Sequence, residues 1–156
     1  MIDLIINEQL VEVNIEAGNQ EEVIRNLSGK LDNSGYVEKG FAEAVLAREK
    51  QYPTGLPTKI PVALCHVEAE YVKQTAMAVA TLKNPVEFHD MGNPENVLNV
   101  EIVFLLTILD PKKQVFYLRK MMDLFKDETL PGLKNATTRQ EVVSLLNEKF
   151  NKMEER

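Results

Sequence analysis

This chain of 156 residues is poor in the groups that most often carry chemistry, with one cysteine, Cys65, and two histidines, His66 and His89. A lone cysteine cannot close an internal disulfide, and it suits a reducing cytoplasm. No apolar stretch is long enough to span a bilayer. The most apolar run, residues 100–109, is short and contains Glu101. The N-terminal MIDLIINEQLVEV lacks a basic segment leading into an apolar one, so no secretory leader is expected. Neither GxxxxGKS/T nor GxGxxG occurs, which leaves nucleotide binding without support. The formal net charge of −6 argues against nonspecific nucleic-acid binding, because phosphates repel an acidic surface.

What is present suits an ordinary globular core: 44% of residues are hydrophobic and 27% charged, with no repeat or composition break to divide them. Residues 10–15 alternate as a half-buried strand does. Asn19 and Glu22 read as a capping box for a helix whose stripe is Val23, Ile24, Leu27 and Leu31. A second helix is expected over 37–50 and is stopped by Pro53; 52–58, with two prolines and a glycine, should be loop. Strands are expected over 61–65, 75–82 and 99–109, with a short extended piece at 85–88 after an Asn84-Pro85 turn. Asp110-Pro111 should open a helix facing inward through Val115, Leu118, Met121, Met122 and Phe125. A polar loop over 126–135 then leads to a last helix capped by Thr138 and Glu141, and 151–156 is left as a frayed tail. The sum is a single α/β domain over 1–156, a mixed parallel and antiparallel central sheet flanked by helices on both faces.

Chemistry concentrates in 47–66, AREKQYPTGLPTKIPVALCH, which runs from a helix end through a Pro/Thr/Gly turn into a strand ending on His66. A guanidinium, hydroxyls, glycine backbone and an imidazole share this unit, an inventory suited to holding a phosphoryl group by a nucleophilic ring. Residues at strand ends border the crevices of α/β folds. The alternative is a structural His66 bonded to a neighbouring carbonyl. His89, beside Asp90, reads as a solvated loop residue. Cys65 reads as a buried, inert thiol, since strand neighbours point to opposite faces and a Cys–His dyad is disfavoured. Cys65, His66, Glu68 and His89 lack metal-site spacing, so no metal is expected.

The order of features resembles enzyme IIA domains of the bacterial phosphoenolpyruvate-dependent sugar phosphotransferase system, in the fructose–mannitol superfamily and nearest its galactitol-type branch. The residues that carry the resemblance are Arg48-Glu49 at the helix end, the turn Pro53-Thr54-Gly55-Leu56, and Val62-Ala63-Leu64-Cys65-His66. The apolar run 100–109 and the amphipathic helix after it extend it over most of the chain. The resemblance implies that His66 accepts a phosphoryl group from the phosphocarrier protein HPr. It implies transfer onward to a cysteine of an enzyme IIB that serves a membrane enzyme IIC, with Arg48 and Thr54 supporting the site by charge and by hydroxyl hydrogen bonding. No metal, nucleotide or other cofactor is implied, and no direct membrane insertion. Two positions depart from the family pattern: Cys65 stands where proline usually precedes the histidine, and Gln114, beside Lys113, stands where a second histidine is common. A regulatory member of the same fold and a binding module that takes up no phosphoryl group are the rival readings.

Overall fold

The computed structural model describes residues 3–154. Five strands form one open sheet in the order β1-β4-β5-β3-β2, from β1 (Val11–Ile15), β2 (Gly55–Leu56), β3 (Val62–Cys65), β4 (Ala76–His89) and β5 (Val97–Thr107). β1 runs parallel to β4 and β3 parallel to β5, while β4–β5 and β2–β3 are antiparallel, so the sheet is mixed as expected. The helices are α1 (Gln20–Asn33), α2 (Phe41–Gln51), α3 (Gln114–Leu124), α4 (Thr129–Asn135) and α5 (Arg139–Glu154).

Side-chain alternation along the central strands sorts the core into two layers. Ala63, Cys65, Ala76, Ala78, Ala80, Val103 and Leu105 face α1 and α2. Val62, Leu64, Met77, Val79, Ile102, Phe104 and Leu106 face α3, α4 and α5. β5 is apolar on both faces because helices cover both. The alanine row on β4 lets α1 pack close, through Val23, Ile24, Leu27 and Leu31. No helix among the described residues is long and apolar enough to cross a membrane.

Several local expectations are corrected. α2 begins at Phe41, not at 37, because Val37 bridges Val72 in extended form and Gly40 takes a left-handed φ of 87° at the helix entrance. Glu22 completes its cap on the N–H of Gly18 and not of Asn19, while Asn19 accepts from Glu22 N–H at 3.0 Å. Part of the presumed loop 52–58 is the edge strand β2. Asn84-Pro85 makes no chain turn: it lies within β4, where pairing with β5 shifts register between Thr81 and Val86. Residues 129–135, read as loop, are α4, whose Leu130 and Leu133 are buried at helical spacing. On α3, Val115 is exposed and Tyr117 takes its place inside. α5 is capped as expected, Glu141 N–H donating to Thr138 Oγ1 at 3.1 Å, and it continues through Glu154. The rest of the polar tail, 155–156, lies outside the described residues.

Candidate functional site

All four residues of β3 are buried, so the strand is a fixed arm that ends on a half-buried His66. The ring Nδ1 lies 3.1 Å from the carbonyl oxygen of Leu64. A carbonyl only accepts, so Nδ1 carries the hydrogen, and the neutral ring keeps its lone pair on Nε2. Burial pushes the imidazole pKa below its usual value; the Leu64 carbonyl opposes this, Arg48 adds to it and Glu68 opposes it. The ring is therefore neutral near pH 7 and oriented by its own strand, an arrangement that would suit a nucleophile.

Arg48 lies in the last turn of α2, where the helix dipole favours a cation. Its guanidinium donates to Glu68 Oε1 at 2.7 Å and lies over the Tyr52 ring, 5.3 Å from the centroid. Its Nε is buried and has no hydrogen-bond partner. A buried, unpartnered donor is costly, and an incoming anion would satisfy it.

Thr54 is buried, and its hydroxyl is committed away from the imidazole. It donates to Glu49 Oε1 at 2.6 Å and lies 3.6 Å from Cys65 Sγ, while its N–H donates to Glu49 Oε2 at 2.8 Å. Its carbonyl accepts from Leu64 N–H at 3.2 Å, so Thr54 holds the PTGL turn onto β3. Glu49 belongs to the Arg48-Glu49 pair of the motif, but sequence reasoning gave it no role of its own. It follows Phe41 and Val45 at steps of four, on the core face of α2, which was the available signal. Burial raises its carboxyl pKa, against the hydrogen bonds from Thr54. Burial and the neighbouring Glu49 push the Cys65 thiol well up, leaving it a protonated, unreactive core group.

Gly55 is required for space. A Cβ there would stand 2.6 Å from the backbone oxygen of His89, because β2 lies against the end of β4 and Gly55 O accepts from Met91 N–H at 2.8 Å. Gly55→Ala is expected to destabilise by about 1–3 kcal/mol through backbone displacement, seen as a lower urea midpoint at unchanged slope. His89 itself is the exposed last residue of β4, with Nδ1 2.8 Å from the Pro94 carbonyl.

β3 and β5 are parallel, with Cys65 opposite Leu105, so both strands end at one edge of the sheet. The half-buried Gln114, first residue of α3, follows at that edge, after Asp110-Pro111. Leu109, just after β5, and Val115 and Phe116 on α3 are exposed apolar residues, with Lys120 Nζ 5.4 Å from the Phe116 ring centroid. Among the described residues, no group of three His, Cys, Asp or Glu side chains could hold a metal ion.

A sequence profile described as "Phosphoenolpyruvate-dependent sugar phosphotransferase system, EIIA 2" matches residues 4–149. The chain belongs to this enzyme IIA family. Its relatives include the transcriptional regulator ManR of Bacillus subtilis, 36% identical over 99 residues that make up 64% of this chain and 14% of the regulator. The galactitol-specific EIIA component of Escherichia coli is 28% identical over 102 residues, 65% of this chain and 67% of that protein. Among solved structures, the complex of enzyme IIAMTL with phosphorylated enzyme IIBMTL from Escherichia coli superposes with a TM-score of 0.75 at 23% identity, covering 93% of this chain and 99% of that one. The family is that of enzyme IIA domains of the sugar phosphotransferase system, and this chain's mixed sheet with helices on both faces is the fold of its structural neighbours.

Proposed function

We propose that this enzyme IIA is a cytoplasmic phosphocarrier that accepts a phosphoryl group on Nε2 of His66 from phospho-HPr and passes it to a cysteine of a galactitol-like enzyme IIB. The observation that carries the proposal is the bond from His66 Nδ1 to the Leu64 carbonyl, which leaves an unprotonated Nε2 on a rigid strand end. The Nε2 lone pair forms the new bond to phosphorus as the donor's bond breaks, and the donor keeps that electron pair. The Nδ1 proton stays where it is, so no general base is needed. Arg48 spreads the charge of the transferring group, and its unpartnered Nε is one of the donors it offers. Thr54 acts through the turn, holding Glu49 and β3 in register. Gln114 would supply a neutral hydrogen bond to a phosphoryl oxygen or the ring, and no proton.

In this reading the exposed Leu109, Val115 and Phe116, which follow the end of β5 in the chain, form the partner-docking face. Phe116→Ser is expected to raise KM for phospho-HPr several-fold with kcat and thermal stability nearly unchanged, since an exposed side chain contributes little to folding. A fall in kcat at constant KM would assign Phe116 elsewhere.

A regulatory reading is favoured by one observation, the 36% identity to part of a transcriptional regulator. The two differ in where the phosphoryl group goes. Phosphorylated protein mixed with candidate enzyme IIB proteins separates them: transfer to an IIB cysteine supports the carrier, and a phosphorylation-dependent complex without transfer supports regulation.

A further inference from the structure

Glu68 stands two residues beyond His66, in extended backbone (φ −60°, ψ 147°) leading into a short 3-10 turn, Ala69–Tyr71. Its carboxylate reaches back to the end of α2 and takes one nitrogen of Arg48 at 2.7 Å. The two side chains differ in freedom: that of Glu68 is 55% exposed, that of Arg48 only 25%, with Tyr52 stacked on it and its Nε buried without a partner. The guanidinium is thus held in place and incompletely used, and its present partner is the more exposed member of the pair.

We propose that Glu68 is the counter-ion that Arg48 surrenders when His66 is phosphorylated, and that this exchange sets how readily the site gives its phosphoryl group away. The inference rests on His66 being the phosphoryl acceptor. A phosphoryl group on Nε2 places about −2 on its oxygens, with one compensating positive charge on the ring that keeps its Nδ1 proton, beside a guanidinium that already holds one carboxylate. Arginine–phosphate contacts are bidentate and charge-assisted, so the phosphoryl oxygens displace Glu68, which moves into water at little cost. An ion pair made only in the unphosphorylated state stabilises that state alone. By linkage it opposes phosphoryl uptake and favours donation by the same factor. Glu68 takes no part in bond making: phosphorus moves from donor to Nε2, the electron pair leaves with the donor, and no proton passes to or from the carboxylate. It is a positioning residue acting through Arg48.

The test is the equilibrium constant for phosphoryl exchange with phospho-HPr, approached from both directions and read by intact mass at alkaline pH. Wild type, Glu68→Gln, Arg48→Gln and the double variant are compared. Glu68→Gln is expected to shift the equilibrium toward phosphorylated enzyme IIA by roughly three- to tenfold, and the shift should largely vanish in the Arg48→Gln background. An equilibrium unchanged by Glu68→Gln overturns the inference. So does an equal shift with and without Arg48, which would make Glu68 a simple repelling charge. A wild-type protein that takes up no phosphoryl group overturns this inference together with the reading of His66, whereas normal uptake with an unmoved equilibrium overturns this one alone.

Discussion

His66→Ala is expected to abolish phosphoryl uptake: incubated with phosphoenolpyruvate, enzyme I and HPr, wild type should gain one phosphoryl group by intact mass at alkaline pH and the variant none. The expected effect is total, because the substitution removes the only nitrogen that β3 presents at the sheet edge. His89 likewise has its Nδ1 bonded to a carbonyl, that of Pro94, but it pairs with Val97 at the start of β5, whereas His66 follows Cys65 opposite Leu105 near that strand's end, so His89 is not expected to substitute. Arg48→Ala should lower the transfer rate about a hundredfold, the usual loss when a preorganised donor to developing charge is removed. Stability should change by under about 1 kcal/mol, since Arg48 makes a partly exposed ion pair. Uptake by the His66→Ala protein would transfer the role to another residue, and wild-type failure with an authentic cognate HPr would favour the binding-module reading.

The second large effect is on stability. Glu49→Ala is expected to cost about 2–4 kcal/mol, because it strands the buried N–H and hydroxyl of Thr54. Glu49→Gln should cost under about 1 kcal/mol, as an amide can still accept from the N–H and donate to the hydroxyl. Burial holds the Glu49 carboxyl above the ordinary value of 4.5, with the Thr54 hydroxyl and N–H pulling the other way. A carboxyl raised on folding contributes stability that is present below its unfolded pKa and is lost as pH rises through its folded pKa. Wild type should therefore lose ground to Glu49→Gln as pH rises from 4.5 toward neutrality. Urea midpoints of both proteins at acid and neutral pH measure this, and a gap that does not change with pH would show that Glu49 ionises as it does in water.

How much of this was legible differs by element. The strand ending on His66 was readable because residues 62–65 are uniformly apolar and Pro61 marks their start. α1 and α5 were readable because each carries a capping pair and an apolar stripe at helical spacing. The site's inventory, Arg48 before a PTGL turn and a strand before His66, was readable for the same reason: its members are close in sequence. α4 was not, because two leucines at helical spacing in seven residues form a helix only when α5 offers a surface to bury them. Asn84-Pro85 read as a turn because the dipeptide is a local breaker, yet β5 holds both sides of it in one long strand.

The sequence by itself determined the fold class, the strand that ends on His66 and the family, because periodicity, caps and motif are properties of neighbouring residues. Only the tertiary structure decided the state of the site's groups. It tied Nδ1 to Leu64, turned the Thr54 hydroxyl onto Glu49, lent Glu68 to Arg48 and left the Arg48 Nε bare. Apart from the first, these contacts join residues of different elements or loops. Which lone pair is free and which charge is paired depend on distances that close only when the helix end, turn and strand pack together.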